Sequence, residues 1–326
     1  MQQRKIVNNI FDSSYSFTEK ALRVLKYQHL NNAVYCEWND VLNMDIASVK
    51  SLSDIPFLPI SFFKTHKVVC GDFNPETTFE SSGTTQSVNS RHYVKDTAIY
   101  RQSFLEAFAL FYGDVKGYCI IGLLPSYLER KNSSLVMMVD KLIKESSNPL
   151  SGFYLYDFEK LKDVLTTLET RKQKTLLIGV TFALLDFADQ YTMQLRHTSV
   201  METGGMKGRG KELIRQEMHA FLGDKLGIKK VHSEYGMTEL LSQAYSKGEG
   251  KFYCPPWMKV LVRDEEDPLS VQFSGRGILN IIDLANIDSC SFIATDDAGI
   301  VHPDGSFEVL GRVDSSDIRG CSLLTV

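Results

Sequence analysis

The sequence lacks any hydrophobic run of membrane-spanning length. Its most apolar stretch, Thr175 to Ala188, is interrupted by Gly179, Thr181 and Asp186, whereas a membrane-spanning helix needs about 20 consecutive apolar residues. The amino-terminal segment, residues 1–17, is too polar for a secretory signal peptide. We therefore expect a cytoplasmic protein that does not insert into membranes.

Cysteines are few and widely spaced, and no Cys-x-x-Cys pair occurs. Consecutive cysteines lie more than 30 residues apart, which excludes a zinc knuckle and a dense disulfide scaffold. Most of them are predicted to be small buried hydrophobic residues. The six are Cys36, Cys70, Cys119, Cys254, Cys290 and Cys321.

A large excess of either charge is also missing, because 36 Lys and Arg residues face 40 Asp and Glu residues and the net charge is −4. This balance argues against bulk electrostatic binding to nucleic acid or anionic lipid, although it leaves a local basic pocket open. Aromatic residues make up 11% of the chain, which is too many for a disordered protein. The composition is therefore that of a globular protein with no nucleic-acid partner.

The order of apolar and amphipathic segments predicts an α/β fold. Residues 16–46 have helical periodicity, and from Gly117 to His232 short apolar runs alternate with amphipathic stretches, which predicts a parallel sheet covered by helices. After Pro255-Pro256, short runs joined by Gly and Asp turns predict a small β-rich subdomain. We expect an α/β region at 1–254 and the β-rich subdomain, ending in a short tail, at 255–326. The predicted strands of the α/β region are Tyr118–Leu124, Phe153–Tyr156, Thr175–Gly179, Ser199–Glu202 and Ile228–His232.

A loop of small hydroxyl residues reads Glu80-Ser81-Ser82-Gly83-Thr84-Thr85. Such a loop can close its N–H groups and hydroxyls around a phosphate, because Gly83 tolerates a tight backbone conformation. It is not a Walker A sequence, since it has no Gly-Lys-Ser/Thr. Taken alone, the segment fits a flexible polar surface loop better than a phosphate-binding loop.

A second motif, His232-Ser233-Glu234-Tyr235-Gly236-Met237-Thr238-Glu239, follows an apolar run that ends at Val231. Ligands bind at the carboxyl ends of strands in parallel α/β sheets. There Tyr235 could stack on a base, Thr238 could donate to a phosphate, and Glu239 could hold Mg²⁺ together with phosphate oxygens. The alternative is a turn in which Thr238 and Glu239 begin a helix.

The third feature contains Thr295-Asp296-Asp297-Ala298-Gly299, followed by Gly311-Arg312-Val313-Asp314. An aspartate at a strand end can accept hydrogen bonds from both ribose hydroxyls, and Arg312 could contact phosphate or ribose. The alternative is a pair of β-turns, which Asp-Asp-x-Gly and Pro303-Asp304-Gly305 both suit.

These segments, in this order, resemble the motifs of the adenylate-forming superfamily over residues 79–321. The ending Arg319-Gly320-Cys321 and the short chain make it most similar to the acyl-protein synthetases, the long-chain-fatty-acid–luciferin-component ligases. The resemblance implies an enzyme that uses ATP and Mg²⁺ to convert a carboxylic acid, typically a fatty acid, to an acyl-adenylate. It also implies transfer of the acyl group to a cysteine as a thioester and a partner acyl reductase.

The resemblance also implies roles for individual residues. Glu239 would bind Mg²⁺, Thr238 would touch the α-phosphate, and His232 would contact the substrate carboxylate unless it is a structural residue. Cys321 would carry the acyl group, and the alternative for it is a buried residue of the last strand. Nucleotide would be bound by Ser81, Ser82, Gly83, Thr84, Thr85, Gly204, Gly205, Tyr235, Gly236, Asp297 and Arg312.

The chain departs from the superfamily pattern in its phosphate loop. Gln86 takes a position that is normally Gly, and the Lys that normally follows is missing until Lys95. Arg91 and His92 are the candidates for the missing positive charge.

Two further departures lie near the end of the chain. Asp296 replaces the Gly before Asp297, so either aspartate could be the ribose ligand. Larger members carry a C-terminal domain of roughly 100 residues with a lysine that assists adenylation, and we expect that domain to be absent here. Two alternatives therefore stay open, a CoA-dependent acid ligase and a non-catalytic nucleotide-binding subunit.

Overall fold

The computed structural model describes residues 10–81, 88–125, 132–204 and 215–313. The α-helices within these ranges are α1 (Phe17–Asn31), α2 (Ala33–Val41), α3 (Phe62–Thr65), α4 (Thr97–Tyr112), α5 (Ser134–Ser146), α6 (Phe158–Thr170), α7 (Thr181–Gln190) and α8 (Arg215–Leu226). The strands are β1 (Leu58–Pro59), β2 (Thr77–Glu80), β3 (Arg91–Val94), β4 (Cys119–Leu123), β5 (Gly152–Phe153), β6 (Thr175–Val180), β7 (Thr198–Thr203), β8 (Val231–Tyr235), β9 (Ala244–Ser246), β10 (Lys251–Phe252), β11 (Met258–Arg263), β12 (Val271–Gln272), β13 (Gly275–Asp283), β14 (Phe292–Val301) and β15 (Phe307–Arg312).

The chain divides into two compact units. The first consists of the described parts of residues 1–78, 82–95 and 253–326, and the second of residues 79–81 and the described parts of 96–252. The division at 252/253 lies close to the boundary expected from the sequence, but the amino-terminal residues group with the carboxyl-terminal strands. The division into 1–254 and 255–326 stays a prediction about domains.

The second unit contains the predicted parallel sheet. Its strand order is β5–β4–β6–β7–β8–β9, and every neighbouring pair is parallel except β8 with β9. Strands β4 and β6 are buried along their whole length, which explains their continuous apolar sequences, since helices on both faces exclude water. Helices α4, α5 and α6 begin at polar caps, as where the side chain of Asp157 accepts the Lys160 N–H at the start of α6. The α/β prediction is confirmed.

The first unit contains the β-rich part of the fold. Strands β12, β11, β13, β14 and β15 follow one another in an antiparallel sheet, and β1 runs parallel to β14. The predicted turn at Pro303-Asp304-Gly305 joins β14 to β15, and Gly305 has a φ of +81°. The segment Thr295–Gly299, in contrast, lies inside β14, so the β-turn alternative for it is wrong.

The amino-terminal segment, for which the sequence predicts helical structure over residues 16–46, forms two helices, α1 and α2. Asn32 ends α1 and its side chain accepts the Tyr35 N–H to begin α2, so one polar residue breaks the helix. Helix α1 anchors the loop before β14 through the fully buried Gln28, whose amide bonds the Asn286 carbonyl and the Ser291 N–H at 2.9 Å each. In the described ranges, no helix combines the length and apolar character that a bilayer crossing requires.

Candidate functional site

The Tyr-Gly-Met-Thr-Glu motif leaves the sheet at the carboxyl end of β8. The strand was predicted to end near His232, but it continues to Tyr235, because its polar residues find partners inside the protein. Residues 236–243 then connect β8 to β9, and Thr238 and Glu239 lie in a turn closed by the Leu240 N–H to the Met237 carbonyl at 3.1 Å. The alternative that these two residues begin a helix is therefore wrong.

Glu234 is a buried carboxyl group directly before this turn. Its Oε2 accepts a hydrogen bond of 2.6 Å from the hydroxyl of Thr203 on the neighbouring strand β7. The pKa of Glu234 is raised to about 7, mainly by burial and in smaller part by the nearby Glu202, whereas the Thr203 hydrogen bond opposes the shift. A methyl group at Gly236 would lie 2.4 Å from Glu234 Oε1, so a larger residue there would displace the Glu234 carboxyl group.

The carboxyl end of β7 is held by a second buried acid and a hydroxyl. The Thr181 hydroxyl donates to the Gly204 carbonyl at 2.7 Å and lies 3.5 Å from Glu202 Oε2. Burial raises the pKa of Glu202, and the guanidinium of Arg215, 3.9 Å away, opposes that shift. Gly204 has a φ of +69°, the left-handed conformation that glycine adopts most easily. Gly205 lies outside the described residues.

Four residues of the Tyr-Gly-Met-Thr-Glu motif differ in exposure at this edge of the sheet. Tyr235 is largely buried and packs edge-to-face on Phe252, with ring centroids 5.9 Å apart. Glu239 is buried and Thr238 is partly exposed, whereas Gly236 is exposed. The structure thus brings Gly204, Tyr235, Gly236, Thr238 and Glu239 to the carboxyl ends of two adjacent strands.

His232 sits earlier in β8 and contacts an aromatic residue. Its Nδ1 lies 3.1 Å from the Tyr112 hydroxyl, and the two ring centroids are 5.7 Å apart. The pKa of His232 is lowered to about 4, mainly by burial and in smaller part by Lys247 and Lys230. The ring is therefore neutral at physiological pH. Its contact with the substrate carboxylate stays a prediction.

The first unit carries the other predicted nucleotide ligands. Arg312 Nε lies 3.2 Å from Asp297 Oδ1, and the Asp297 side chain is 9% exposed while that of Arg312 is 71% exposed. The Asp297 N–H donates to the Thr295 hydroxyl at 3.1 Å. Asp296 is exposed and alternates with Asp297 across the strand, so of the two aspartates only Asp297 pairs with Arg312.

Several predicted residues lie at or beyond the limits of the described chain. Ser81 follows the end of β2, whereas Ser82, Gly83, Thr84, Thr85 and Cys321 lie outside the described residues. Arg91 is exposed at the start of β3. His92 is buried and packs edge-to-face on Phe63, with ring centroids 5.8 Å apart, and its role as the missing positive charge stays a prediction.

The described cysteines share a chemical property. Each is a free thiol, and burial is the main cause that raises its pKa above the ordinary value. Because the thiolate is the nucleophile, a raised pKa makes these sulfurs unreactive near pH 7. They are Cys36, Cys70, Cys119, Cys254 and Cys290.

The sequence interpretation gave no role to three residues that hold the strands carrying the predicted ligands. Glu202 and Glu234 lie inside strands, where a carboxylate is uncommon, and that rarity was the available signal. Arg263 ends β11 and donates to oxygens of β13 and β14. Nothing local in the sequence marks it, because its partners are 17 and 32 residues away.

The comparisons with known proteins agree with these motifs. The sequence model of the acyl-protein synthetase family LuxE matches residues 12–325. The chain belongs to the LuxE acyl-protein synthetase family. This confirms the family resemblance and the prediction of a ligase of that type. A curated relative, the long-chain-fatty-acid–luciferin-component ligase of Vibrio harveyi, is 23% identical over 322 residues, which cover 91% of this chain and 84% of the relative.

Solved adenylate-forming enzymes share the fold of this LuxE-family chain. A 2-hydroxyisobutyryl-CoA ligase in the postadenylation state superposes with a TM-score of 0.65 at 12% identity, over 91% of this chain and 68% of that one. ATP-bound MatB from Rhodopseudomonas palustris gives 0.55 at 15% identity, over 74% and 49%. A long-chain-fatty-acid–CoA ligase from Archaeoglobus fulgidus gives 0.51 at 14% identity, over 72% and 51%. The chain thus spans about half the length of the latter two.

Proposed function

We propose that this LuxE-family protein activates a carboxylic acid with ATP and then transfers the acyl group to a cysteine. The observation that carries the proposal is the turn from Gly236 to Glu239 at the carboxyl end of β8, beside Gly204 at the end of β7. This edge of a parallel sheet is where such folds bind ligands. A fatty acid is the proposed substrate, since the Vibrio harveyi relative is named for a long-chain fatty acid.

In the first step, the substrate carboxylate attacks the α-phosphorus of ATP, and the bond from that phosphorus to pyrophosphate breaks. The products are an acyl-adenylate and pyrophosphate. The Thr238 hydroxyl donates to the α-phosphate, Tyr235 contacts the adenine, and Asp297 accepts from the ribose hydroxyls while Arg312 offsets phosphate charge. Oriented donors of this kind stabilise the charge that develops on the phosphate.

The residues present fit a magnesium ion. Glu239 offers a buried carboxylate at the turn, and Mg²⁺ is commonly held by one or two carboxylates together with substrate phosphates. In the described residues no group of three His, Cys, Asp or Glu side chains could hold a metal by itself, and a carboxylate-plus-phosphate site does not need one. When bound, the ion would neutralise phosphate charge.

In the second step, a thiolate attacks the acyl carbonyl and the bond to AMP breaks, leaving a thioester and free AMP. The five described thiols are poor candidates because burial raises the pKa of each. Cys321 is the remaining cysteine of the sequence, and we propose that it accepts the acyl group and passes it to a partner reductase. A cytoplasmic location belongs to the same proposal.

The first prediction separates the two steps. Cys321→Ser is expected to keep acid-dependent ATP–pyrophosphate exchange at the wild-type rate and to lose stable labelling with radioactive fatty acid. Cys36→Ser is the control, because Cys36 is a described thiol that should not take part. Exchange is measured across carboxylic acids of increasing chain length.

The outcomes that contradict the proposal are distinct. Equal labelling of wild type and Cys321→Ser would remove the acceptor role of Cys321. Release of AMP from Cys321→Ser by coenzyme A would favour the CoA-dependent ligase. Nucleotide binding without exchange for any acid would favour a non-catalytic subunit.

A further inference from the structure

The structure assigns to Arg263 a role that no sequence motif gives it: it positions the nucleotide-binding aspartate, Asp297, through Thr295. Arg263 is the last residue of β11, and its guanidinium lies partly buried in the sheet of the first unit. Arg263 is thus a positioning residue that need not touch the nucleotide itself. The inference rests on the proposed function, because it takes Asp297 to be the ribose ligand.

The guanidinium of Arg263 connects its own strand, β11, to β13 and β14 through short hydrogen bonds. Nη1 donates to Asn280 Oδ1 of β13 at 2.7 Å, and Nη2 donates to the Thr295 carbonyl of β14 at 2.7 Å. Nη1 also lies 3.4 Å from the Leu279 carbonyl. The rigid planar fork of arginine suits two acceptors on different strands, whereas the single ammonium of lysine does not.

Thr295 passes this constraint on to Asp297. Its hydroxyl donates to the Leu279 carbonyl at 2.8 Å and accepts the Asp297 N–H at 3.1 Å. The next contact is the pair of Asp297 with Arg312 at 3.2 Å. The contacts therefore run without a break from Arg263 through Thr295 and Asp297 to Arg312.

The hydrogen-bond pairing of the sheet is irregular beside Asp297, which explains why the hydrogen bonds of Arg263 and Thr295 are needed there. The pairing of β13 with β14 shifts register between Ile278 and Asn280, and that of β14 with β15 shifts between Ala298 and Gly299. Asp297 thus lies between two bulges, where ladder hydrogen bonds are disrupted. The side chains of Arg263 and Thr295 both bond Leu279, the residue at the first shift.

The charge of Arg263 is compatible with this role. Burial lowers the pKa of the guanidinium and the carboxylate of Asp296 opposes the shift, but arginine stays protonated in proteins. In the described residues its hydrogen bonds go to carbonyl and amide oxygens. The side chain therefore orders backbone and amide groups and does not neutralise a buried carboxylate.

The test measures discrimination between ATP and its 2′-deoxy and 3′-deoxy analogues by calorimetry. A hydrogen bond to a charged group contributes about 1.5–3 kcal/mol, so wild type should bind ATP roughly 10- to 100-fold more tightly than either analogue. In Arg263→Met this preference should fall to about threefold or less. Arg276→Met, an exposed position on the neighbouring strand β13, is the matched control and should keep the wild-type preference.

The conservative variant keeps the test decisive if Arg263→Met fails to fold. Arg263→Lys should fold and show an intermediate preference, and Thr295→Val, which removes the hydroxyl that accepts the Asp297 N–H, should reproduce the loss. A folded Arg263→Met or Arg263→Lys protein with full ribose discrimination overturns the inference, since a purely structural residue would change stability alone.

The outcome also separates this inference from the proposed function. Wild type that discriminates ribose hydroxyls but shows no exchange with any acid contradicts the proposed reaction and leaves the role of Arg263 standing. Wild type that binds no nucleotide contradicts both.

Discussion

At the scale of single residues, buried acids are the unusual feature of the second unit. Glu234 and Glu202 lie on adjacent strands, and burial raises the pKa of both. An acid whose pKa is raised in the folded state binds protons more tightly there than in the unfolded chain. Ionisation of Glu234 therefore opposes folding, and its hydrogen bond from Thr203 reduces that penalty.

The pH dependence of stability tests this view of Glu234. Between pH 4.5 and about 7 the folded protein keeps a proton that the unfolded chain has released, so the free energy of unfolding falls as pH rises. The full shift corresponds to roughly 3 kcal/mol. The Glu234→Gln variant should not show this decrease. Its free energy of unfolding relative to wild type, measured by urea titration, should therefore rise from pH 5 to pH 8.

The stability of Glu234→Gln has to be compared with that of wild type, because two histidines change the free energy of unfolding with pH in the opposite direction. The pKa of His232 and that of His219 are lowered to about 4, mainly by burial, so each adds stability as pH rises from 4 to 6.5, in both proteins. Thr203→Val is the companion variant, since loss of its hydroxyl should move the Glu234 transition to higher pH. Parallel curves for wild type and Glu234→Gln would contradict the assignment.

At the scale of elements, the glycine that closes the Thr295–Gly299 motif is fixed by the partner strand. A methyl group at Gly299 would lie 2.4 Å from the Glu308 carbonyl of β15 and 2.7 Å from the Leu279 side chain. The side chain of alanine would therefore push β15 away from β14. Since β15 carries Arg312, the pairing with Asp297 depends on this close approach.

Gly299→Ala should lower the free energy of unfolding by about 1–3 kcal/mol, the usual range for overpacking, and should weaken ATP binding. Gly117→Ala is the control, because nothing lies within 4 Å of its added methyl group. Urea unfolding and calorimetry measure the two effects. A Gly299→Ala protein as stable as the control variant would show that β14 and β15 can separate freely.

The elements also mark where sequence reasoning succeeds. Apolar runs such as Thr175–Gly179 predicted β6 to within one residue, because strands buried on both faces need continuous apolar sequence. Strand β8 was predicted three residues too early. A glutamate at position 234 suggests an exposed residue beyond the strand, and the sequence does not show that Thr203 on another strand is its hydrogen-bond partner. The Thr295–Gly299 segment has turn composition, yet pairing with β13 and β15 holds it in a strand.

At the scale of the whole molecule, the predicted ligands fall in both units. Tyr235, Thr238 and Glu239 belong to the second unit, and Asp297 and Arg312 to the first. The order of the motifs along the sequence predicted these ligands, but it did not distinguish Asp296 from Asp297 as the ribose ligand. The alternation of β14 separates them, since Asp296 is exposed and Asp297 is buried beside Arg312.

The free energy of unfolding in the presence of nucleotide tests whether Asp297, and not Asp296, is the ribose ligand. Mg-ATP at about 100 times its Kd should raise the free energy of unfolding of wild type by roughly 2.7 kcal/mol. At the same Mg-ATP concentration, Asp297→Asn should lose most of this gain, whereas Asp296→Asn should keep it. Thermal unfolding with and without Mg-ATP gives the comparison. Equal losses in both variants would mean that the two aspartates share the ribose.

The unequal exposure of Asp297 and Arg312 has a consequence for ionic strength. The guanidinium of Arg312 is 71% exposed while its partner carboxylate is largely buried, so dissolved salt screens the guanidinium far more than the carboxylate. At physiological ionic strength the screening length is about 8 Å. Added sodium chloride should therefore weaken attraction to the triphosphate while leaving recognition of the sugar nearly unchanged.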